Sequence, residues 1–423
     1  MRAISAPADS TRWQSVREIL DELFSHRRLL IFSLIVFSIV LQTTVLYFLP
    51  PARARNHNGD FIYFYGPIAT NLAAGKGLVD DKGEFATVFP PGFPVMLAFQ
   101  FKAAAILGVE PLVIVAVFNV LISSLGCGCV FLIAEYIFTR RVAVLAALTW
   151  ATYPANIWLS FQPNSEVPYL PVFFLAAFAS LRALNEKNPN FAVKAGILLG
   201  LCALMRPIAL SSAAFLAGGL VLFSWKEARR KGLAAGALLA TAFLLTILPW
   251  EVYVSQKTGR PLPMFAKAAS LMTQGITSVI TDTPRNAADP LEVTKSKRGL
   301  FSLLFDELRA DPLAVLKLLS MKLVRGWYAT YRTRKTLQIL PVQLFYLCLG
   351  GIGLRLALRN DRRHLACIWL LLLSIGGAWF TTIVTVPLLR YMLPQMSFVL
   401  IFCAFACDQF LFAPTRAQSD GSA

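Results

Sequence analysis

What most constrains this chain is the recurrence of long apolar runs, each closed by polar residues or a short knot of arginine and lysine. A helix crossing the hydrocarbon core of a bilayer needs about 20 predominantly apolar residues. Runs near that length follow one another from residue 29 to residue 412. Arg27-Arg28 precede the first, at 29–49, and the second, at 111–138, ends at Thr139-Arg140-Arg141. The third, at 142–158, ends in the polar turn Gln162-Pro163-Asn164-Ser165-Glu166. Later runs close at Arg182 and Lys187, at Met205-Arg206-Pro207, at Lys226 to Lys231, at Leu248-Pro249-Trp250 and at Arg355 to Arg363, before two last runs that reach Thr385 and Phe412. Composition agrees: 57% of the 423 residues are hydrophobic and 15% charged, where a soluble domain carries about a quarter charged residues.

The formal charge of +17 would point a soluble protein towards nucleic acid. Here the basic residues lie in short clusters between apolar runs, where they set topology and contact anionic lipid. Membrane lipids are therefore expected partners, and nucleic acid is not. Lys/Arg-rich loops stay on the cytoplasmic side, and all the short clusters fall there if the apolar piece at 91–108, which carries Gln100 and Lys102, lies against the bundle rather than through the membrane. The expected fold is an all-α polytopic membrane protein of about ten transmembrane helices with periplasmic juxtamembrane helices. It divides into a cytoplasmic tail at 1–28, a transmembrane domain at 29–412 with external segments at 50–110 and 255–335, and a second cytoplasmic tail at 413–423. The first run is span-length, longer than the core of a cleaved signal, so it reads as an uncleaved anchor in the cytoplasmic (inner) membrane.

Within the second external segment, Leu313, Leu316, Leu319, Leu323 and Trp327 keep a helical spacing, with Lys317, Lys322 and Arg325 between them. An amphipathic helix lying at the interface, or a lid packed on the bundle, fits that pattern. The seven cysteines sit in apolar surroundings, and Cys127-Gly-Cys129 lacks the two-residue spacer of a redox or zinc pair. The three histidines are scattered. No metal-ligand cluster and no cofactor motif is evident, which leaves metal dependence open.

Chemistry-bearing residues collect in the external corners. The first external segment carries Asn58-Gly59-Asp60-Phe61-Ile62-Tyr63-Phe64-Tyr65, then Ala69-Thr70-Asn71-Leu72, Gly75-Lys76-Gly77 and Phe89-Pro90-Pro91-Gly92. Asp60 taken alone reads as a helix cap. Glu166 could cap the following span, and Arg206 and Arg390 could be interfacial anchors.

The ordered set of motifs resembles the polyprenyl-phosphate-sugar glycosyltransferases of the C-type membrane fold, the superfamily of protein O-mannosyltransferases and aminoarabinose transferases. The residues that carry it are Asp60 and its tyrosines, Ala-Thr-Asn71-Leu, Gly75-Lys-Gly77, Pro90-Pro91, Ser165-Glu166, Gly200-Leu201 with Arg206-Pro207, Pro249-Trp250, and Arg390-Tyr391 with Pro394. Some members hold a lysine immediately before the Pro-Pro pair, where this chain has Phe89. The resemblance implies transfer of a sugar from a polyprenyl-phosphate donor to a lipid, glycan or protein acceptor outside the cytoplasm, by inverting displacement. It implies that Asp60 is the catalytic base, with Glu166 as a second catalytic carboxylate, and that Tyr63, Arg206, Arg390, Tyr391 and Lys322 bind substrate. The competing reading is a transporter or flippase for a lipid-linked or anionic solute. Such proteins usually carry related halves and polar residues at mid-membrane, whereas here no repeat is visible and the charges gather at span ends. The topology is testable: in a background without reactive cysteines, Ala54→Cys should react with an impermeant thiol reagent in intact cells and Arg230→Cys only after permeabilisation, and the reverse pattern would invert the map.

Overall fold

The computed structural model describes residues 26–49, 59–86, 89–259, 305, 308–309, 312–330, 333–360 and 364–412. Both terminal tails and most of the second external segment lie outside these residues, as do Asp311, Arg362 and Arg363. The described residues are helical apart from short connections and one isolated antiparallel bridge, Val79 with Phe85. In chain order the helices are α1 Arg27–Phe48, a π-helical turn Phe61–Tyr65, α2 Gly66–Ala73, α3 Gly92–Leu107, α4 Pro111–Ile137, α5 Arg140–Thr152 and α6 Pro154–Ser160. They continue as α7 Glu166–Glu186, α8 Pro189–Met205, α9 Ala209–Thr258, α10 Pro312–Arg325, α11 Thr333–Asn360, α12 Leu365–Val384 and α13 Leu389–Phe412.

Among the described residues seven helical segments are long and apolar enough to cross a membrane, and eight if α5 and α6 count as one broken span. The sequence expectation of about ten differs by two. Those two are α8, whose 17 residues reach about 26 Å, and the arm Ala209–Ser224, both apolar but short of the usual span. The run at 91–108 becomes α3, of 16 residues, also short of a crossing. Its buried face includes Phe93, Leu97 and Gln100, and it packs on α2 and α4.

Local sequence explains the breaks. Tyr153 precedes Pro154, which disfavours helical backbone at Tyr153. Tyr153 is extended, and the axes of α5 and α6 differ by 55°. Asn188 and Pro189 start α8 together: the Asn188 side chain accepts from the Asn190 N–H at 3.0 Å, and proline occupies the first helical position without losing a bond. The helical run α9 turns back on itself between Ser224 and Arg229. A Cβ added to Gly232 would lie 2.5 Å from Ser224 Cβ, and one on Gly236 would lie 2.6 Å from Val221, contacts impossible along a straight helix.

Lipid offers no hydrophobic drive between helices, so close packing through small residues takes its place. Gly196 and Gly200 bring α8 onto α9, where an added Cβ would stand 2.3 Å from Leu239 O and 2.5 Å from Thr246 Cβ. Gly350 and Gly353 bring α11 onto α13, with Val399 and Phe402 opposite. Trp150, Phe173, Phe174, Phe398 and Phe402 fill the centre. A buried polar chain adjoins it: the Tyr153 hydroxyl donates to Gln343 Oε1 at 2.7 Å, and Gln343 Nε2 donates to the Trp327 carbonyl at 2.8 Å.

The two ends of the bundle differ. At one, Glu135 bridges Arg27 and Arg140 at 2.6 and 2.9 Å, and Asp408 lies 3.7 Å from Arg141. At the other, the starts of α7, α11 and α13 meet the end of α8 and the segment Gly59–Ala86. There the Pro-Pro-Gly corner abuts the close of α8: a Cβ on Gly92 would lie 2.7 Å from the Leu204 carbonyl oxygen. The α11–α13 contact is testable. A Cβ at Gly353 would come within 1.8 Å of the Phe402 carbonyl oxygen, and over-packing a core typically costs about 1–3 kcal/mol. Gly353→Val should therefore lower the midpoint of thermal unfolding in detergent, whereas Gly351→Val, in open space, should not. Equal midpoints would deny the close approach.

Candidate active site

Asp60 directly precedes the π-helical turn, yet its side chain caps nothing. Its Oδ2 instead accepts from Arg390 Nη1 at 3.1 Å, across 330 residues of sequence. Arg390 is the second residue of α13, and its corner is pinned from behind: the Leu389 N–H donates to the Ala329 carbonyl at 2.8 Å. Arg390 Nε also lies 3.8 Å from Glu166 Oε1. Glu166, at the head of α7, forms a 2.5 Å ion pair with Arg206 Nη1, which donates in addition to Ser165 Oγ at 3.0 Å. Two carboxylates and two guanidinium groups thus alternate along one line, Asp60, Arg390, Glu166, Arg206.

Tyr391 completes the line. Its hydroxyl accepts from Arg390 Nη2 at 3.1 Å, and the Arg390 and Arg206 guanidinium carbons lie 5.0 and 5.5 Å from its ring centroid. Such cation–π contacts hold guanidinium groups without satisfying their N–H donors. Glu166 is nearly enclosed, with 6% of its side chain exposed, while Asp60 keeps 35%. Both carboxylates line the cavity described next, the inner one enclosed by its ion pairs and the outer one the more open.

That cavity encloses about 770 Å³. Asp60, Glu166 and Arg390 stand at its head, Trp158, Gln162 and Asn164 line one side, and Ile339, Val342 and Leu393 supply an apolar wall. Lys335, in the first turn of α11, also lines it, with its ammonium 4.3 Å from the Trp158 ring centroid. The bend between α5 and α6 carries Trp158 to this position. An anion at the head and an apolar chain along the wall is what such a surface accommodates.

Five of the residues singled out by sequence, Asp60, Glu166, Arg206, Arg390 and Tyr391, come together. Tyr63 does not join them: it is 70% exposed and stands over Gly59. Tyr65, two residues on, is the aromatic that reaches the cluster, buried beside Ser165 and near Arg206. Burial pushes its phenol well above the ordinary range, although Arg206 and Ser165 oppose the shift. It is therefore a neutral O–H at physiological pH. Lys322 is buried on α10 and donates to the Thr385 carbonyl at 2.8 Å. Burial lowers it to about 8. This contact ties α10 to the loop leading into Arg390 and leaves Lys322 off the cavity wall. Phe89, before the Pro-Pro pair, packs on Phe64 and Tyr65 with centroids 5.1 and 4.8 Å away.

Sequence reasoning missed Tyr65, Trp158 and Lys335. Tyr65 lies in the same aromatic run as Tyr63, and helical periodicity cannot choose between them where the backbone is a π-turn. Trp158 and Lys335 belong to elements without a motif, and only the Tyr153-Pro154 bend and the start of α11 could have drawn attention to them. Among the described residues no three His, Cys, Asp or Glu side chains come together as metal ligands.

Removing one partner of an enclosed ion pair leaves an uncompensated charge and costs about 3–5 kcal/mol, whereas a partly exposed pair is worth about 0–1 kcal/mol. Glu166→Ala is accordingly expected to lower unfolding stability far more than Asp60→Ala. Equal losses in a denaturation series would contradict the division between the enclosed and the more open carboxylate.

Comparison with known proteins bears on the fold and on part of the sequence. Residues 90–250 match the family model described as dolichyl-phosphate-mannose-protein mannosyltransferase. No curated protein matches the chain by sequence. Among solved structures it is similar to the oligosaccharyltransferase AglB of the archaeon Archaeoglobus fulgidus in complex with an inhibitory peptide and a dolichol-phosphate, with a TM-score of 0.56 at 16% identity over 89% of this chain. The apo form of the Archaeoglobus fulgidus oligosaccharyltransferase gives a TM-score of 0.56 at 17% identity, again over 89% of this chain. The chain spans half the length of these structures, 50% in both cases. At that identity the likeness is one of fold: the all-helical membrane architecture read from the sequence is similar to half the length of these structures.

Proposed function

We propose that this chain is a membrane glycosyltransferase that moves a sugar from a polyprenyl-phosphate carrier to an acceptor hydroxyl outside the cytoplasm. The observation that carries the reading is the meeting of Asp60 with Arg390 at the head of a cavity whose far wall is apolar. The match over 90–250 to a dolichyl-phosphate-mannose-dependent family supports the donor class. The acceptor is a lipid, a glycan or a protein; the related oligosaccharyltransferase has been seen with an acceptor peptide.

The chemistry follows from the groups present. The acceptor oxygen attacks the anomeric carbon while the bond from that carbon to the phosphate oxygen breaks, inverting the centre. Asp60 takes the acceptor proton, as a positioned carboxylate can. The departing phosphate is already a good leaving group and needs charge stabilisation rather than protonation. Arg390 meets it directly, and Arg206 adds positive potential from behind Glu166, since guanidinium forks match phosphate oxygens and stay charged. Glu166 orients both arginines. Tyr391 fixes the plane of Arg390. An arriving phosphate competes with Asp60 for Arg390, so donor binding also frees the base. The basic clusters orient the opposite end of the bundle to the cytoplasm and the cavity to the outside of the cytoplasmic membrane.

Asp60→Asn keeps the size of the side chain but cannot take the proton. With labelled polyprenyl-phosphate sugars and membrane extract, transfer should fall by about two to four orders of magnitude while protein level and donor binding persist. Near-wild-type transfer by this variant would remove Asp60 from the chemistry.

A further inference from the structure

The turn that follows Asp60 is wound more loosely than an α-helix. Asp60 already has helical backbone, and in the π-turn after it the Gly66 N–H donates to the Phe61 carbonyl, five residues back. In an α-helix, residues five apart stand about 140° apart around the axis. A ladder that spans five residues returns them to one side, so Asp60 and Tyr65 share a side of the same turn. Gly66 belongs to this geometry: a Cβ there would lie 2.9 Å from the Phe61 carbonyl oxygen.

The two residues are fastened to different parts of the charged line. Asp60 accepts from Arg390 at 3.1 Å. Tyr65 is buried, its ring packs on Phe89 and Phe93 with centroids 4.8 and 4.9 Å away, and its phenol shares a hydrogen bond with Ser165. Ser165 in turn accepts from Arg206, the partner of Glu166, which leans on Arg390. Contacts therefore run from Asp60 through Arg390, Glu166, Arg206 and Ser165 to Tyr65, and the π-turn closes them into a ring.

Closure matters once the donor is bound. A phosphate on Arg390 displaces Asp60 from that contact. The carboxylate is then held through its own turn, and the other end of the turn is held by Tyr65. A reacting group misplaced by about 1 Å can lose about a hundredfold in rate.

We propose that Tyr65 is the positioning residue for Asp60: its phenol on Ser165 anchors the π-turn and keeps the carboxylate at the head of the cavity while the donor occupies Arg390. The inference rests on the glycosyltransferase reading, in which Asp60 is the base, and adds the element that aims it.

Tyr65→Phe removes the phenol oxygen and keeps the ring between Phe89 and Phe93. The full chain in nanodiscs is given labelled undecaprenyl-phosphate sugars and membrane extract, and transfer per folded molecule is followed against donor concentration. Tyr65→Phe should lower the rate at saturating donor by about ten- to a hundredfold and leave the half-saturating donor concentration unchanged. Ser165→Ala takes away the partner of the phenol, should lower the saturated rate as well, and tests the contact if Tyr65→Phe does not fold. Gly66→Ala, which crowds the π-turn with the phenol intact, should also lower it. In an Asp60→Asn background, where no base remains to be aimed, Tyr65→Phe should cost nothing further. An unchanged saturated rate for Tyr65→Phe, with or without a loss of folded protein, would reduce Tyr65 to a packing residue and overturn the inference. A full further loss in the Asp60→Asn background would do the same, and in both cases the glycosyltransferase reading would stand. If Asp60→Asn itself transfers as wild type does, the assignment of the base falls first, and the role of Tyr65 with it.

Discussion

The alternating line of Asp60, Arg390, Glu166 and Arg206 is the interaction on which the rest of the architecture depends. Ionised groups at membrane depth are costly unless they face one another or water. Each of these four comes from a different piece of chain: the segment after α1, the start of α13, the head of α7 and the close of α8. Satisfying them requires those four ends to converge. The helix order, the turn inside α9 and the packing of Gly92 on Leu204 serve that convergence. Because Glu166 answers Arg206 and leans on Arg390, neither arginine can retreat towards solvent without stranding a charge.

Much of this was legible in the sequence because membrane folds announce themselves through run length and charge placement. Runs of about 20 apolar residues and their basic borders are governed by bilayer thickness and the positive-inside bias, both independent of tertiary contacts. Asp60, Glu166, Arg206 and Arg390 stood out because the ordered set of motifs that holds them resembles the C-type glycosyltransferases; taken singly each reads as a helix cap or an interfacial anchor. Their pairing could not be read, since Asp60 and Arg390 are 330 residues apart and periodicity carries no information about which span neighbours which. The π-turn at Phe61–Tyr65 shifts the face by which an aromatic run meets its neighbours, and so Tyr65 takes the place expected of Tyr63. Lys322 shows the opposite limit. Its position between apolar residues marked it as special, but the reason is a buried bond to Thr385 that braces the corner of Arg390.

The break between α5 and α6 links fold to site. A continuous helix from Arg140 to Ser160 would carry Trp158 along the axis of α5. The extended backbone at Tyr153 redirects the last turn by 55° and brings Trp158, Leu159 and then Gln162 to the cavity. Tyr153 also holds Gln343 of α11 through its hydroxyl, and Gln343 holds the Trp327 carbonyl. One proline therefore sets both a wall of the cavity and the brace behind the opposite wall.

The contact of α11 with α13 has a mechanical side. The helices touch backbone to backbone at Gly353 and Phe402, with Gly350 against Val399, and they carry Lys335 and Arg390 at their far tips. At 1.5 Å per residue the arms from that crossing measure about 27 Å and about 18 Å. They form two arms reaching from that crossing to the cavity, each with a cation near its tip. A tilt of one arm by about 5° would shift its tip by about 2 Å. Pro341 and Pro394, each inside a helix between fulcrum and tip, weaken the backbone ladder where such bending is least costly. The spacing of the two tips at the cavity is thus tied to glycines that lie far from it along α11.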